Sequence, residues 1–223
     1  MIEVEPILAY AAENEERFVA DLKELLRIPS VSRRREGVEK CVNWLNEHLQ
    51  NLGMATEVFE TGGNPIIIAE MQGKSDKTLL FYGHYDVQPE DPIEKWDHPP
   101  FAAEEIDGRI YARGAVDAKG NFFCIIKALE SHLKTHGELP CNVKMILEGE
   151  EEVGSPSLEP FIAEHGDLLE ADAMVWFDGG IHVDGRAEVC LGMKGMLYVE
   201  LSVETNDGND LHSGRAPIVD NAA

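Results

Sequence analysis

Basic residues are scarce in this chain. Its 223 residues carry 19 lysines and arginines against 42 aspartates and glutamates, a formal charge of −23. Nucleic acid and anionic membrane surfaces select basic patches, so neither is an expected partner. No apolar run approaches the roughly 18 residues that a membrane-spanning helix requires. The first residues, 1–18, lack both a basic start and a long apolar stretch, so a secretory signal is not expected there. Cysteine is sparse: Cys41, Cys124, Cys141 and Cys190 lie far apart, with no CxxC and no zinc-finger spacing. Reduced thiols and a cytoplasmic location are the expectation. Internal repeats and low-complexity tracts are lacking too. Against these absences, 43% of the residues are hydrophobic, enough for a core despite the charge. The length suits one large domain, or one domain plus part of a second.

The apolar pattern supplies the elements. The first forty residues read as helical, with Phe18, Val19, Leu22, Leu25 and Leu26 at helical spacing and Ile28-Pro29 ending the run. Val38, Cys41, Val42, Leu45, Leu49 and Leu52 form a second stripe, stopped at Gly53. Residues 56–60, 66–71 and 78–82 are short and apolar or β-branched, and predict strands. Segment 101–112, centred on Asp107-Gly108, predicts a hairpin. A helix over 118–135, a strand over 143–147, a helix over 157–169 and a strand over 173–177 follow. Strands alternating with helices argue an α/β domain with a mixed, largely parallel sheet flanked by helices. After Gly185 the pattern changes, and 187–193 and 196–204 read as antiparallel strands opening a second, smaller domain. The chain then ends at residues 220–223 in mid-pattern, which is the expectation for a fragment.

In open α/β sheets ligands sit beyond the carboxyl ends of the strands. The strand at 78–82 runs into Gly83-His84-Tyr85-Asp86, that at 143–147 into Glu148-Gly149-Glu150-Glu151-Glu152, and that at 173–177 into Asp178-Gly179-Gly180. The helix near 118 is preceded by Asp117. Each has an ordinary explanation: a packed histidine, a solvated acidic run, a helix N-cap, a turn residue. Four such coincidences at one sheet edge are less economical than one divalent cation, which relieves the repulsion of converging carboxylates. One histidine among several carboxylates suits zinc, manganese or cobalt. In an extended segment residues i and i+2 share a side, so Asp86 is placed to accept a hydrogen bond from the ring of His84. His132 and His136 have helical i, i+4 spacing, but Leu133 stands where a general base would be needed, and they read as surface residues. His48, His98, His165 and His182 suggest no partner.

Several ordered motifs carry a resemblance: Gly83-His84-Tyr85-Asp86-Val87-Gln88-Pro89, Trp96, Pro99-Pro100-Phe101, residues 107–114, Asp117-Ala118-Lys119-Gly120 and residues 148–155. From about residue 15 onward the chain resembles the M20 family of metallopeptidases, which includes glutamate carboxypeptidases, acylases, desuccinylases and carnosinase-like dipeptidases. It looks most like the dipeptidase branch and corresponds to its N-terminal portion. The resemblance implies a catalytic domain over residues 1–193 and the start of a smaller α+β lid domain over 194–223. It implies that His84, Asp117 and Asp178 hold one metal ion, with Asp86 orienting His84. Asp117 would bridge to a second ion held by Glu152, and a cis peptide often follows this aspartate, here Asp117-Ala118. Counting back from Gly154-Ser155 places the general base at Glu151. The segment 210–214 resembles the lid motif whose histidine, here His212, stabilises the transition state at a neighbouring subunit's site. Two divalent ions roughly 3.5–4 Å apart, zinc with manganese or cobalt as alternatives, would share a bridging water. The implied reaction is cleavage of the amide bond of dipeptides or small peptides. Removal of an N-acyl group from an amino acid, or a non-catalytic metal-binding fragment, are the alternatives. The family takes a further histidine ligand of the second metal from a segment beyond the lid, which this sequence does not contain, and it implies a homodimer through the lid.

Overall fold

Period-two alternation decides how the central sheet of this protein packs. Along β2 (Ile66–Met71), Ile67 and Ala69 join one buried cluster while Ile66 and Ile68 join another. Along β6 (Asn142–Glu148), Val143, Met145 and Leu147 take the first cluster and Ile146 the second. Both faces are therefore apolar and both are covered. The computed structural model describes residues 3–180, 184–186, 192, 194, 195 and 197–202. Its five-stranded sheet runs β1-β2-β6-β3-β7, with β1 (Ala55–Phe59), β3 (Thr78–His84) and β7 (Ala173–Trp176). β1, β2 and β6 pair antiparallel, whereas β6, β3 and β7 are parallel. The sheet is thus mixed with a parallel core, as the alternation of elements leads one to expect.

The first face is covered by α3 (Val38–Leu52) and α4 (Lys119–His136), with Leu25 of α2 (Glu15–Leu26). The second is covered by α5 (Leu158–His165) through Phe161. A separate hairpin joins β4 (Glu104–Ile106) to β5 (Arg109–Tyr111), turning on Asp107 and Gly108, both at positive φ. No described helix is long and apolar enough to cross a membrane. Cys41, Cys124 and Cys141 are free thiols.

Two close fits bring α4 to the carboxyl end of β3. A Cβ at Gly83 would lie 2.8 Å from the Cβ of Phe122, so only glycine lets the helix approach this strand. Lys119, fully buried in the first turn of α4, donates to the carbonyls of Leu25 (3.3 Å) and Ile28 (2.5 Å). It so caps the end of α2, where a positive charge meets the helix dipole favourably; burial pushes its ammonium pKa down. The segment leading into α4 is thereby tied to both the sheet and the N-terminal helices.

Several expected boundaries move. The first forty residues are not one helical run: α1 (Glu5–Glu13) and α2 are separated at Asn14, and residues 29–37 are non-helical. The Asn14 side chain bonds Tyr10 O at 2.9 Å, the local competition with the helix ladder that asparagine is prone to. α5 stops at His165 and continues only as a 3₁₀ turn over Gly166–Leu169, because Gly166 is a poor helix former. β3 runs on through Gly83 and His84, which places His84 in the sheet itself. Most of the two strands expected after Gly185 lie outside the described residues. Residues 197–202 are described and form no strand, having no ladder partner among the described residues. The chain divides into two units, Met1–Gly180 and Ile181–Ala223; the expected boundary at 193/194 falls within the second.

Candidate metal centre

The parallel core converges three strand ends, and β3 supplies the central group. The His84 side chain is fully buried, and its Nδ1 lies 3.3 Å from Asp86 Oδ1 and 3.2 Å from Asp86 O. With that nitrogen as the donor, Nε2 presents a lone pair. It has no hydrogen-bond partner, yet Asp117 Oδ1 is 3.1 Å away, Asp178 Oδ2 3.8 Å and Glu151 Oε2 3.9 Å. A buried acceptor facing three carboxylates is unfavourable unless something positive lies between them. His84, Asp117 and Asp178 each offer a ligand atom, all within 4.8 Å of one another. Three nitrogen and oxygen donors with an open side match a catalytic-type site for a zinc-like divalent ion, so these residues fit such a cation.

Asp86 does more than orient the imidazole. Fully buried, it also accepts the backbone N–H of Glu151 and of Glu152, each at 3.2 Å, so one carboxylate ties the histidine to the acidic turn. That turn is a single 3₁₀ turn, Glu151–Val153, separated from β6 by Gly149 and Glu150. Gln88 Nε2 holds Glu152 at its carbonyl (2.9 Å) and carboxylate (3.0 Å). Asp117 does not serve as the N-cap of α4; that position is held by Ala118, and the Asp117-Ala118 peptide is cis. Asp178 follows β7 and is mostly shielded, and the next residue's carbonyl accepts from Asn121 of α4.

The charges respond as their crowding dictates. Burial raises the Glu151 pKa, assisted by the nearby carboxylates of Glu152, Asp178 and Asp86 and opposed by His84. Burial also raises that of Glu152, where the hydrogen bond from Gln88 opposes and Asp117 reinforces. For His84 burial disfavours the charged ring, but the hydrogen bond to Asp86 and the charges of Asp86, Asp178 and Glu151 outweigh it, pushing the pKa up to about 9. The site draws positive charge to Nε2.

The structure therefore gathers His84, Asp86, Asp117, Glu151, Glu152 and Asp178 at one sheet edge. His212 lies outside the described residues, as does His182. The pair His132 and His136 stacks at 4.6 Å, but contrary to expectation His132 is only partly a surface residue: both its ring nitrogens are buried without a partner. His48, without an evident partner in the sequence, accepts from Lys127 (3.0 Å) and stacks on Trp44. Residues the sequence did not single out are Gln88, Tyr82, Ser155 and Glu148. Alternation along β6 was the available signal for Glu148, since it shares the face of Ile146, two residues earlier.

A sequence profile of peptidase family M20/M25/M40 matches residues 80–222. The Beta-Ala-His dipeptidase of Mus musculus is 32% identical over 230 residues, covering 95% of this chain and 46% of that protein. The Cys-Gly metallodipeptidase dug1 of Schizosaccharomyces pombe is 30% identical, covering 91% of this chain and 46% of that protein. Among solved structures, the M20 family metallo-carboxypeptidase Sso-CP2 from Sulfolobus solfataricus superposes with a TM-score of 0.77 at 40% identity, covering 92% of this chain and 47% of that one. The chain thus spans about half the length of the curated relatives it matches. With the profile covering more than half of its residues, and the strand ends that carry His84 and precede Asp178 inside the matched region, this chain belongs to peptidase family M20/M25/M40.

Proposed function

We propose that this chain forms the metal-holding part of a hydrolase that cleaves the amide bond of dipeptides or other small peptides. The observation that carries the reading is the buried, unpartnered Nε2 of His84 facing Asp117, Asp178 and Glu151. The relatives named for Beta-Ala-His and Cys-Gly dipeptides support the substrate class. His84, Asp117 and Asp178 would hold one ion, and Asp117 with Glu152 would contribute to a second, zinc being the ion we favour. Bound divalent cations of this kind polarise a carbonyl and make water a nucleophile near neutral pH.

The chain's own residues supply the rest. Asp86 fixes the His84 tautomer, keeping the Nε2 lone pair directed into the site. Glu151, partly shielded and with its pKa raised, takes the proton of the attacking water and returns it to the departing amine. Gln88 and Asp86 hold the acidic turn so that the Glu151 carboxylate faces the cluster. His212 would stabilise the oxyanion across a homodimer made through the lid. A cytoplasmic setting completes the reading.

The test uses the longest natural form of the protein. Glu151→Gln should abolish dipeptide turnover with metal content near normal, because the base is not a ligand. Glu152→Gln should instead lower occupancy by the second ion. The reverse pattern would show the two roles to be exchanged, and turnover of N-acyl amino acids in place of dipeptides would shift the reaction to deacylation.

A further inference from the structure

At the sheet edge that carries His84, the buried acid Glu148 has no task in the proposed function. Glu148 is the last residue of β6 and is 1% exposed. It pairs in register with His84 across the parallel β6–β3 ladder, and its backbone carbonyl accepts the N–H of Tyr85 at 2.8 Å. A single carboxylate oxygen, Oε1, accepts from the Tyr82 hydroxyl (2.5 Å) and from the Ser155 hydroxyl (2.8 Å). Ser155 stands at the far end of the acidic turn, at φ 49°, a conformation that a residue with a Cβ adopts only when held. Its own N–H closes on Glu150 O at 2.8 Å. Tyr82 in turn sets its ring edge-on to Trp176, 5.1 Å between centroids, on the strand that ends at Asp178.

One oxygen therefore connects the strand bearing His84, the strand leading to Asp178, and both ends of the loop bearing Glu151 and Glu152. Burying a carboxylate is costly, and an apolar side chain would fill this space with less penalty. We infer that Glu148 is a positioning residue: its carboxylate closes the 148–155 loop and so sets where Glu151 and Glu152 stand relative to His84. Asp86 holds the turn from the imidazole side and Glu148 from the Ser155 side. The inference deepens the proposed function and rests on it for the roles of Glu151 and Glu152.

Amide hydrogen exchange on the 223-residue chain tests this without any metal. Glu148→Ala should reduce protection across 149–155 by about tenfold or more, the loss expected when hydrogen bonds to a buried carboxylate go. α3 and β2 should keep theirs. Glu148→Gln, whose amide oxygen still accepts, should restore most of the protection. If Glu148→Ala does not fold, Ser155→Ala should give the same local loss. Zinc titration adds a readout that a passive filler would not move. Uptake at His84, Asp117 and Asp178 should be little changed, whereas the weaker uptake that depends on Glu152 should fall by about 10–100-fold. Loss of protection spread evenly over α3, β2 and the turn would overturn the inference, as would a turn unchanged in both truncations. Should the unaltered chain take up no zinc, the proposed function fails, while the exchange data still decide the role of Glu148.

Discussion

Replacing Asp86 by asparagine removes one charge and almost no volume, so its effect can be worked from the hydrogen bonds. Asp86 Oδ1 lies 3.3 Å from His84 Nδ1 and 3.2 Å from the Glu151 N–H, and Oδ2 lies 3.2 Å from the Glu152 N–H. An asparagine keeps the better arrangement with its carbonyl oxygen toward His84 and Glu151. Its amide NH₂ then faces the Glu152 N–H, donor against donor. One buried hydrogen bond is lost and two donors are left opposed, which costs about 1–3 kcal/mol. For a chain of this size that is a fall in Tm of about 2–12 °C, at about 2–4 °C per kcal/mol. The His84 ring also loses the anion that makes it a better base, so affinity for the first ion should drop about 10–100-fold. Calorimetry in the presence of chelator reads the first effect, and zinc titration the second. Unchanged zinc affinity, in a variant that is destabilised as expected, would refute the argument that Asp86 acts through His84 on a bound ion.

Two further perturbations probe the framework. Gly83→Ala forces a Cβ to within 2.8 Å of Phe122 Cβ, so α4 must shift; urea unfolding should show a loss of about 1–3 kcal/mol, with weaker zinc uptake because Asp117 moves with the helix, and neither effect is expected from an alanine at exposed Gly62, where a Cβ would meet nothing within 4 Å. Glu130 gives a pH signature. Burial pushes its carboxyl up, but hydrogen bonds from Arg17 (2.5 Å) and Lys127 (2.9 Å) and their charges prevail, and its pKa lies below the ordinary value. A depressed folded pKa contributes stability above the unfolded pKa of about 4.3 and loses it as pH falls through the folded value. The stability gap between the natural chain and Glu130→Gln should therefore be full near neutrality and shrink below about pH 4; a gap that widened in acid would contradict the pairing.

Much of the site was legible because its chemistry is local in sequence. The spacing His84–Asp86 is a strand period, and the extended geometry delivers the contact that the spacing implies. The α3 stripe and the Asp107-Gly108 turn were likewise set by residues near one another. What escaped depends on register. Residue type alone does not distinguish Glu148 from its acidic neighbours within 148–152; alternation along β6 gives its face, but the pairing of β6 with β3, across 64 residues, sets it beside His84 and under Tyr82. Lys119 is similar, since its partners Leu25 and Ile28 lie at and just beyond the end of a helix that sequence spacing cannot dock. The break at Asn14 was missed because the apolar period continues across it, and the interruption is a side-chain hydrogen bond.

The central claim is that His84, Asp117 and Asp178 together hold a divalent ion. Elemental analysis of the chain after exhaustive dialysis from zinc tests it most directly, with His84→Ala as the control. The account predicts about one tightly held ion per chain, removed by chelator, and almost none in the variant. A chain that retains no ion, or a variant that retains as much as the natural sequence, would contradict it.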